Sequence, residues 1–107
     1  MSLSIEITAL YDRVPRRHTT DNVKDIYSII EEYEDILIQI EAINPFYEKH
    51  IGTYFDAAAT AKGFIKKSTD NKASKKNKDT FFDEGSSVLK ESMQELLILF
   101  GDGNTAE

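Results

Sequence analysis

Segment 23–43 constrains the fold of this chain more than any other part of the sequence. Its apolar residues recur at alternating spacings of three and four, which places them on one face of a helix. They are Val23, Ile26, Ile30, Tyr33, Leu37 and Ile40. Ile29, Ile36 and Ile43 widen this face to roughly 160° of the helix circumference. Because one neighbour cannot cover so wide a face, the pattern predicts the central helix of a small bundle.

Two further segments, 45–67 and 80–100, carry the same apolar spacing and are each predicted to form a long helix. The central helix should end at Asn44, because Pro45 disfavours helical geometry in the residue before it. Asn followed by Pro is also a good helix start. This short break favours an antiparallel hairpin at 44–46, and a single kinked helix is the alternative.

The N-terminal segment 3–14 is compatible with two structures. Leu3 and Ile7 share a helical face, yet Leu3, Ile5 and Ile7 also alternate as they would in a strand. We favour a short helix, because the chain offers no second strand and a lone strand leaves its backbone groups unpaired. Pro15 should then end this helix.

Local signals complete the predicted fold. Thr20 or Asp21 is expected to cap the central helix, and Gly85 on an inner helix face predicts a close approach by a neighbour. The predicted fold is all-α: a small antiparallel bundle of three long helices near 21–44, 45–67 and 80–100, with a short N-terminal helix packed against them. At 107 residues the chain should form a single domain, 1–107, with a mobile Lys-rich loop at 68–79 and a frayed tail at 102–107.

Composition narrows the classes of protein that the chain can represent. It has no cysteine, which excludes disulfides and thiolate chemistry. No apolar run approaches the ~20 residues needed to span a bilayer, and the N-terminus does not resemble a signal peptide. We therefore expect a cytoplasmic protein with no membrane association.

Chemical motifs are equally scarce. His18 and His50 are not in ligand-spaced pairs, so no metal site is predicted. The many carboxylates fall on predicted solvent faces, and no glycine-rich phosphate loop or nucleophile motif is present. We expect no catalytic residue, cofactor or small-molecule substrate, and the chain is not predicted to be an enzyme.

The positive charge is concentrated in segment 60–78, which has seven lysines and one acidic residue. Clustered cations suit phosphate contacts, but the 68–79 loop lacks the arginines and aromatic residues that read and stack bases. A nucleic-acid role is therefore the alternative function. It would involve binding through the lysines at 62–78, or mimicry of nucleic acid by the acidic face of helix 21–44.

A protein-interaction role is the leading prediction, because several apolar residues break their helical pattern. Tyr27 and Ile38 lie about 20° apart on the central helix, on its acidic side. Phe55 and Ile98 also fall outside the core arcs of their helices. Aromatic or aliphatic anchors with charged rims are typical of interfaces. The predicted partner-binding residues are Tyr27, Glu31, Glu34, Ile38, Glu41 and Phe55.

These residues predict a non-catalytic protein–protein interaction domain, such as a small adaptor, inhibitor, chaperone or regulator. Its partner would be another protein or a second copy of the chain, docked on a helix face. The competing explanation is that the short N-terminal helix covers some of the exposed apolar residues, which would then belong to the core.

Overall fold

The computed structural model describes residues 3–43 and 45–101, and within these ranges the secondary structure is entirely helical. The helices are α1 (Leu3–Arg13), α2 (Thr20–Glu41), α3 (Pro45–His50), α4 (Gly52–Ser68) and α5 (Lys75–Gly101). The all-α prediction is confirmed, and segment 3–14 is a helix rather than a strand. The predicted frayed tail at 102–107 lies outside the described residues, as does Asn44.

The first turn of α2 is held by a side-chain cap one residue earlier than predicted. Thr19 has an extended backbone (φ −135°, ψ 161°), and its hydroxyl accepts a hydrogen bond from the Asn22 amide at 3.0 Å. The Asn22 side chain in turn donates to the Arg17 carbonyl at 2.9 Å. These two bonds fix the preceding loop, 14–19, against the start of α2.

The Lys-rich loop is shorter than the predicted 68–79. Ser68 is the last residue of α4, and α5 begins at Lys75, so only residues 69–74 connect the two helices. Ser74 caps α5, because its hydroxyl accepts from the Asn77 amide at 3.1 Å. Lysine is a good helix former, but a polar first turn carries no apolar periodicity, and the prediction therefore placed the helix start too late.

The predicted helix 45–67 is divided into α3 and α4 at Ile51. Hydrogen bonds continue on both sides of this residue: the Ile51 amide donates to the Tyr47 carbonyl at 2.8 Å, and the Tyr54 amide donates to the Ile51 carbonyl at 3.0 Å. The break therefore separates α3 from α4 without opening a loop. Gly52, which is unfavourable inside a helix by about 1 kcal/mol relative to alanine, explains its position.

The four longer helices form an antiparallel bundle in which α1 packs on α5 and α2, α2 on α4, and α4 on α5. Specific contacts fix the directions. The Ser86 hydroxyl of α5 donates to the Pro15 carbonyl at 2.9 Å, and Gln94 further along α5 donates to the Tyr11 hydroxyl at 2.9 Å. Lys62 of α4 donates to the carboxylate of Glu34 of α2 at 3.1 Å, whereas a continuous helix would separate these two residues by roughly 40 Å. Helix α4 therefore returns along α2, which confirms the hairpin in place of a kinked continuous helix.

One cluster of buried apolar residues fills the bundle, with Tyr33, Tyr47 and Phe82 as its largest fully buried members. Helix α2 faces α1, α3 and α4, as a central helix should. The closest helix pair, however, is α4 with α5. A methyl group built on Gly85 would lie 2.7 Å from Cδ1 of Ile65 and 3.1 Å from the Ala61 carbonyl oxygen. The close approach predicted from Gly85 is therefore confirmed.

A buried hydrogen bond joins the two helices that face each other diagonally across the core. The Tyr33 hydroxyl of α2 lies 2.6 Å from the Ser92 hydroxyl of α5, and both side chains are buried. Burial raises the pKa of Tyr33, because an ionised phenolate would lose its hydration, while the bond to Ser92 opposes this shift. Burial and the carboxylate of Glu95 likewise raise the pKa of Tyr54.

We expect the protein to lose stability in alkaline solution because of these tyrosines. In the unfolded chain a tyrosine loses its proton at about pH 10, whereas folded Tyr33 keeps its proton at that pH. The free energy of unfolding is therefore unaffected by this group below pH ~10 and decreases above it. The slope should reach about 1.4 kcal/mol per pH unit for each such tyrosine. Denaturant unfolding measured on both sides of pH ~10 tests this. A Tyr33→Phe variant with an unchanged slope would contradict it.

The two ends of the bundle, which is 47 Å long, differ in charge. The basic end is formed by loops 14–19 and 69–74 and the adjoining helix turns. Its cations outnumber its carboxylates, which include Asp21, Asp70, Asp79 and Asp83; the nine cations are Arg16, Arg17, Lys24, Lys66, Lys67, Lys72, Lys75, Lys76 and Lys78. The acidic end combines the start of α1, the end of α2, helix α3, the start of α4 and the end of α5. Its carboxylates, which outnumber its one lysine, Lys49, are Glu6, Glu34, Asp35, Glu41, Glu48, Asp56 and Glu95.

Candidate functional site

The predicted partner-binding residues lie along the side of the bundle where α2 meets α4. Glu34 of α2 is bonded to Nζ of Lys62 of α4 at 3.1 Å. Phe55 precedes Lys62 by seven residues, or two turns, and Glu41 follows Glu34 by the same interval on the antiparallel helix. We name this surface the α2/α4 face: Tyr27, Glu31, Glu34, Ile38 and Glu41 of α2, with Phe55 and Lys62 of α4.

The residues of the α2/α4 face are exposed to different extents. Ile38 exposes 56% of its surface to solvent, and Glu31 and Glu41 are exposed beside it. Tyr27 and Phe55 are half-buried and pack on the hydrophobic core. Ile38 is therefore the side chain with most of its apolar surface available to a partner, whereas the two aromatic residues also support the fold.

The short N-terminal helix does not cover this face. It packs on α5 and on another side of α2, where both terminal nitrogens of Arg13 donate to the carboxylate of Glu32 at 3.2 and 3.0 Å. Glu32 lies about 120° around α2 from Ile38. The explanation that α1 buries Ile38 is thus excluded.

Other large apolar side chains are exposed at the same end of the bundle as Ile38. Ile98, which the sequence placed outside its core arc, is 60% exposed, and Ile5 and Phe46 are 63% and 48% exposed. The Phe46 ring lies 4.7 Å from that of His50. His50 is itself exposed. Ile5 and Phe46 also lie outside the buried faces of their own helices, although they were not among the residues predicted to bind a partner.

A second candidate site lies at the basic end, in a cleft of 520 Å³ between loop 14–19 and the start of α5. We name it the basic cleft, and its lining residues are Arg16, Arg17, His18, Thr19, Lys75, Asp79 and Asp83. The Nδ1 atom of His18 lies 3.3 Å from Oδ1 of Asp79, and the ring of His18 packs 5.5 Å from that of buried Phe82. These contacts fix one wall of the cleft.

The sequence analysis did not identify the basic cleft, because its residues come from two stretches more than 50 positions apart. Arg16 and Arg17 belong to one stretch and Lys75 to the other. The lysine segment itself contains no arginine, and folding brings two arginines to it. Predicting the cleft requires knowing that loop 14–19 contacts the start of α5, and a single sequence does not show this contact.

Other classes of site gain no support from the parts of the chain that are described. Residues 3–43 and 45–101 contain no group of three side chains able to hold a metal ion. None of the described helices is both long enough and apolar enough to cross a membrane. Comparison of the chain with known protein families, curated protein sequences and solved structures yields no match. Function must therefore be inferred from the two surfaces described above.

Proposed function

We propose that this protein is a non-catalytic protein-interaction domain that binds its partner through the α2/α4 face. The observation that carries the proposal is Ile38, a large aliphatic side chain left 56% exposed on a long and otherwise well-covered helix. Interfaces concentrate their binding energy in a few apolar or aromatic anchors surrounded by polar residues. The α2/α4 face has such an anchor and a rim of carboxylates.

The charges of the rim favour a partner with basic groups. Glu31 and Glu41 are exposed on either side of Ile38, while Lys62 is engaged by Glu34. A second copy docked by the same face would bring like charges together, which disfavours a symmetric dimer through this surface. We therefore propose a different protein, which presents an apolar pocket with lysine or arginine at its edge.

Truncation of Ile38 tests this proposal. Ile38→Ser is expected to weaken partner binding by about 2 kcal/mol, or roughly thirtyfold in Kd. Because Ile38 is exposed, the free energy of unfolding should change by no more than ~0.5 kcal/mol. Capture from the native source with the wild-type chain identifies the partner, and calorimetry with the purified pair then measures the affinity.

Ile5→Ser provides the matched control. It makes the same chemical change at a similarly exposed isoleucine of α1, a helix that packs mainly on α5 and α2. Equal affinity losses in the two variants would contradict docking at the α2/α4 face. Sedimentation of the chain alone tests self-association. If the wild-type chain forms a dimer and Ile38→Ser abolishes it, the partner is a second copy of the chain and not a different protein.

A further inference from the structure

The basic cleft gathers three cations that have no carboxylate partner among the described residues. Arg16, Arg17 and Lys75 are all exposed and form none of the ion pairs found in residues 3–43 and 45–101. Arg13 and Lys62, in contrast, each pair with a glutamate. Asp79 and Asp83 also line the cleft but form no ion pair with these three cations. Like charges that converge on one concave surface repel one another, so an anion bound between the cations would be stabilised.

The local backbone adds to this positive field. Helix α2 starts directly after Thr19, and α5 starts at Lys75, so the first turns of two long helices border the cleft. Each helix N-terminus carries the equivalent of roughly half a positive charge and has amides without a partner in the helix. The cations and the helix ends therefore favour the same kind of ligand group.

The carboxylates of the cleft restrict what kind of anion fits. Asp79 and Asp83 lie on successive turns of α5 and line the cleft, and Asp79 contacts His18 of loop 14–19. They would repel a long polyanion, whereas a small ligand with one phosphate can place hydroxyl groups against them, because carboxylates accept hydrogen bonds from hydroxyls. The volume of 520 Å³ lies within the ~300–1,000 Å³ typical of small-molecule pockets.

From these observations we infer that the basic cleft binds the phosphate group of a small hydroxyl-bearing phosphate monoester, such as a nucleotide or a sugar phosphate. The guanidinium groups of Arg16 and Arg17 are suited to bidentate contacts with phosphate oxygens, and Lys75 supplies a point charge. His18 is held against Asp79 and Phe82 and shapes the wall without being needed as a phosphate ligand. The cleft lies at the opposite end of the bundle from Ile38, so this inference stands apart from the proposed protein interaction.

Titration with AMP, adenosine and inorganic phosphate tests the inference. Amide chemical shifts of residues 16–21 and 75–79 should move with AMP, with a Kd of about 1 mM or lower. Inorganic phosphate should move the same amides more weakly, and adenosine should not move them. Adenosine binding as well as AMP, or no response to AMP or phosphate, would overturn the assignment.

Two neighbouring lysines distinguish a built site from general positive charge. Lys75 lines the cleft, whereas Lys76 is exposed and is not among the lining residues. Lys75→Gln and Arg17→Gln should each raise the Kd for AMP about tenfold, equal to ~1.4 kcal/mol, while Lys76→Gln should change it less than about twofold. Thermal melts of the three variants confirm that each is folded.

A short oligothymidylate separates the phosphate monoester from a nucleic acid. We expect it to bind more weakly than AMP, with little dependence on Lys75. Tighter oligonucleotide binding, lost equally in Lys75→Gln and Lys76→Gln and steeply reduced by salt, would assign the basic end to nucleic acid and overturn the small-molecule site.

Discussion

Replacing Gly85 by alanine is expected to lower the free energy of unfolding by about 1–2 kcal/mol, although alanine favours a helix by ~1 kcal/mol. The reason is the contact between α4 and α5. The added methyl would lie 2.7 Å from Cδ1 of Ile65, which can move, and 3.1 Å from the carbonyl oxygen of Ala61, which belongs to the backbone. The two helices must therefore separate slightly. Denaturant unfolding measures the change.

Gly63→Ala is the matched control, because Gly63 also lies inside a helix but has nothing within 4 Å of the added methyl. It should stabilise the protein by up to ~1 kcal/mol. Adding Ile65→Val to Gly85→Ala removes the nearest atom and should recover part of the loss, which a double-mutant cycle will show as coupling. Equal effects of alanine at Gly63 and Gly85 would contradict the close packing.

Removing the buried hydrogen bond between α2 and α5 should give an asymmetric pair of effects. Ser92→Ala leaves the Tyr33 hydroxyl buried without its partner and should cost about 2 kcal/mol. Tyr33→Phe should cost only about 1 kcal/mol, because the remaining serine hydroxyl can bond to a carbonyl of its own helix. The double variant removes both polar groups, so its loss should be smaller than the sum of the single losses.

Ser28→Ala controls for the change in helix propensity, since Ser28 is exposed on α2. It should alter stability by no more than about 0.5 kcal/mol. If Ser92→Ala and Ser28→Ala have the same effect, or if the two core substitutions add without coupling, the bond contributes nothing specific to the fold.

The helices that bury an apolar face could be predicted from the sequence, and their polar ends could not. Spacings of three and four placed the bulk of α2, α4 and α5 correctly. The predicted start of α5 was wrong because residues 75–79 carry no apolar side chain, and the helix start is set by the Ser74 cap. The break at Ile51 was missed for a related reason: Ile51 is buried on the same face as the residues around it, so the apolar pattern continues across it.

Some features of the two candidate sites could likewise be predicted from the sequence, and others could not. A residue that breaks the pattern of its own helix, such as Ile38, can be recognised from the sequence, and its exposure agrees with that reading. Tyr27 and Phe55 also break the patterns of their helices, yet both are half-buried against the core, which their own sequence patterns do not indicate. The basic cleft depends on loop 14–19 meeting α5, a contact between distant segments that no local pattern encodes.

The opposite charges of the two ends have a consequence for how the molecule behaves in solution. Along an axis of 47 Å they form a large permanent electric dipole. At low ionic strength this dipole turns the whole molecule as it approaches a charged surface, so that one end arrives first. At physiological salt the screening length is only about 8 Å. Each end then acts as a separate charged surface, and the charge of a ligand bound at one end does not affect the electrostatic potential at the other.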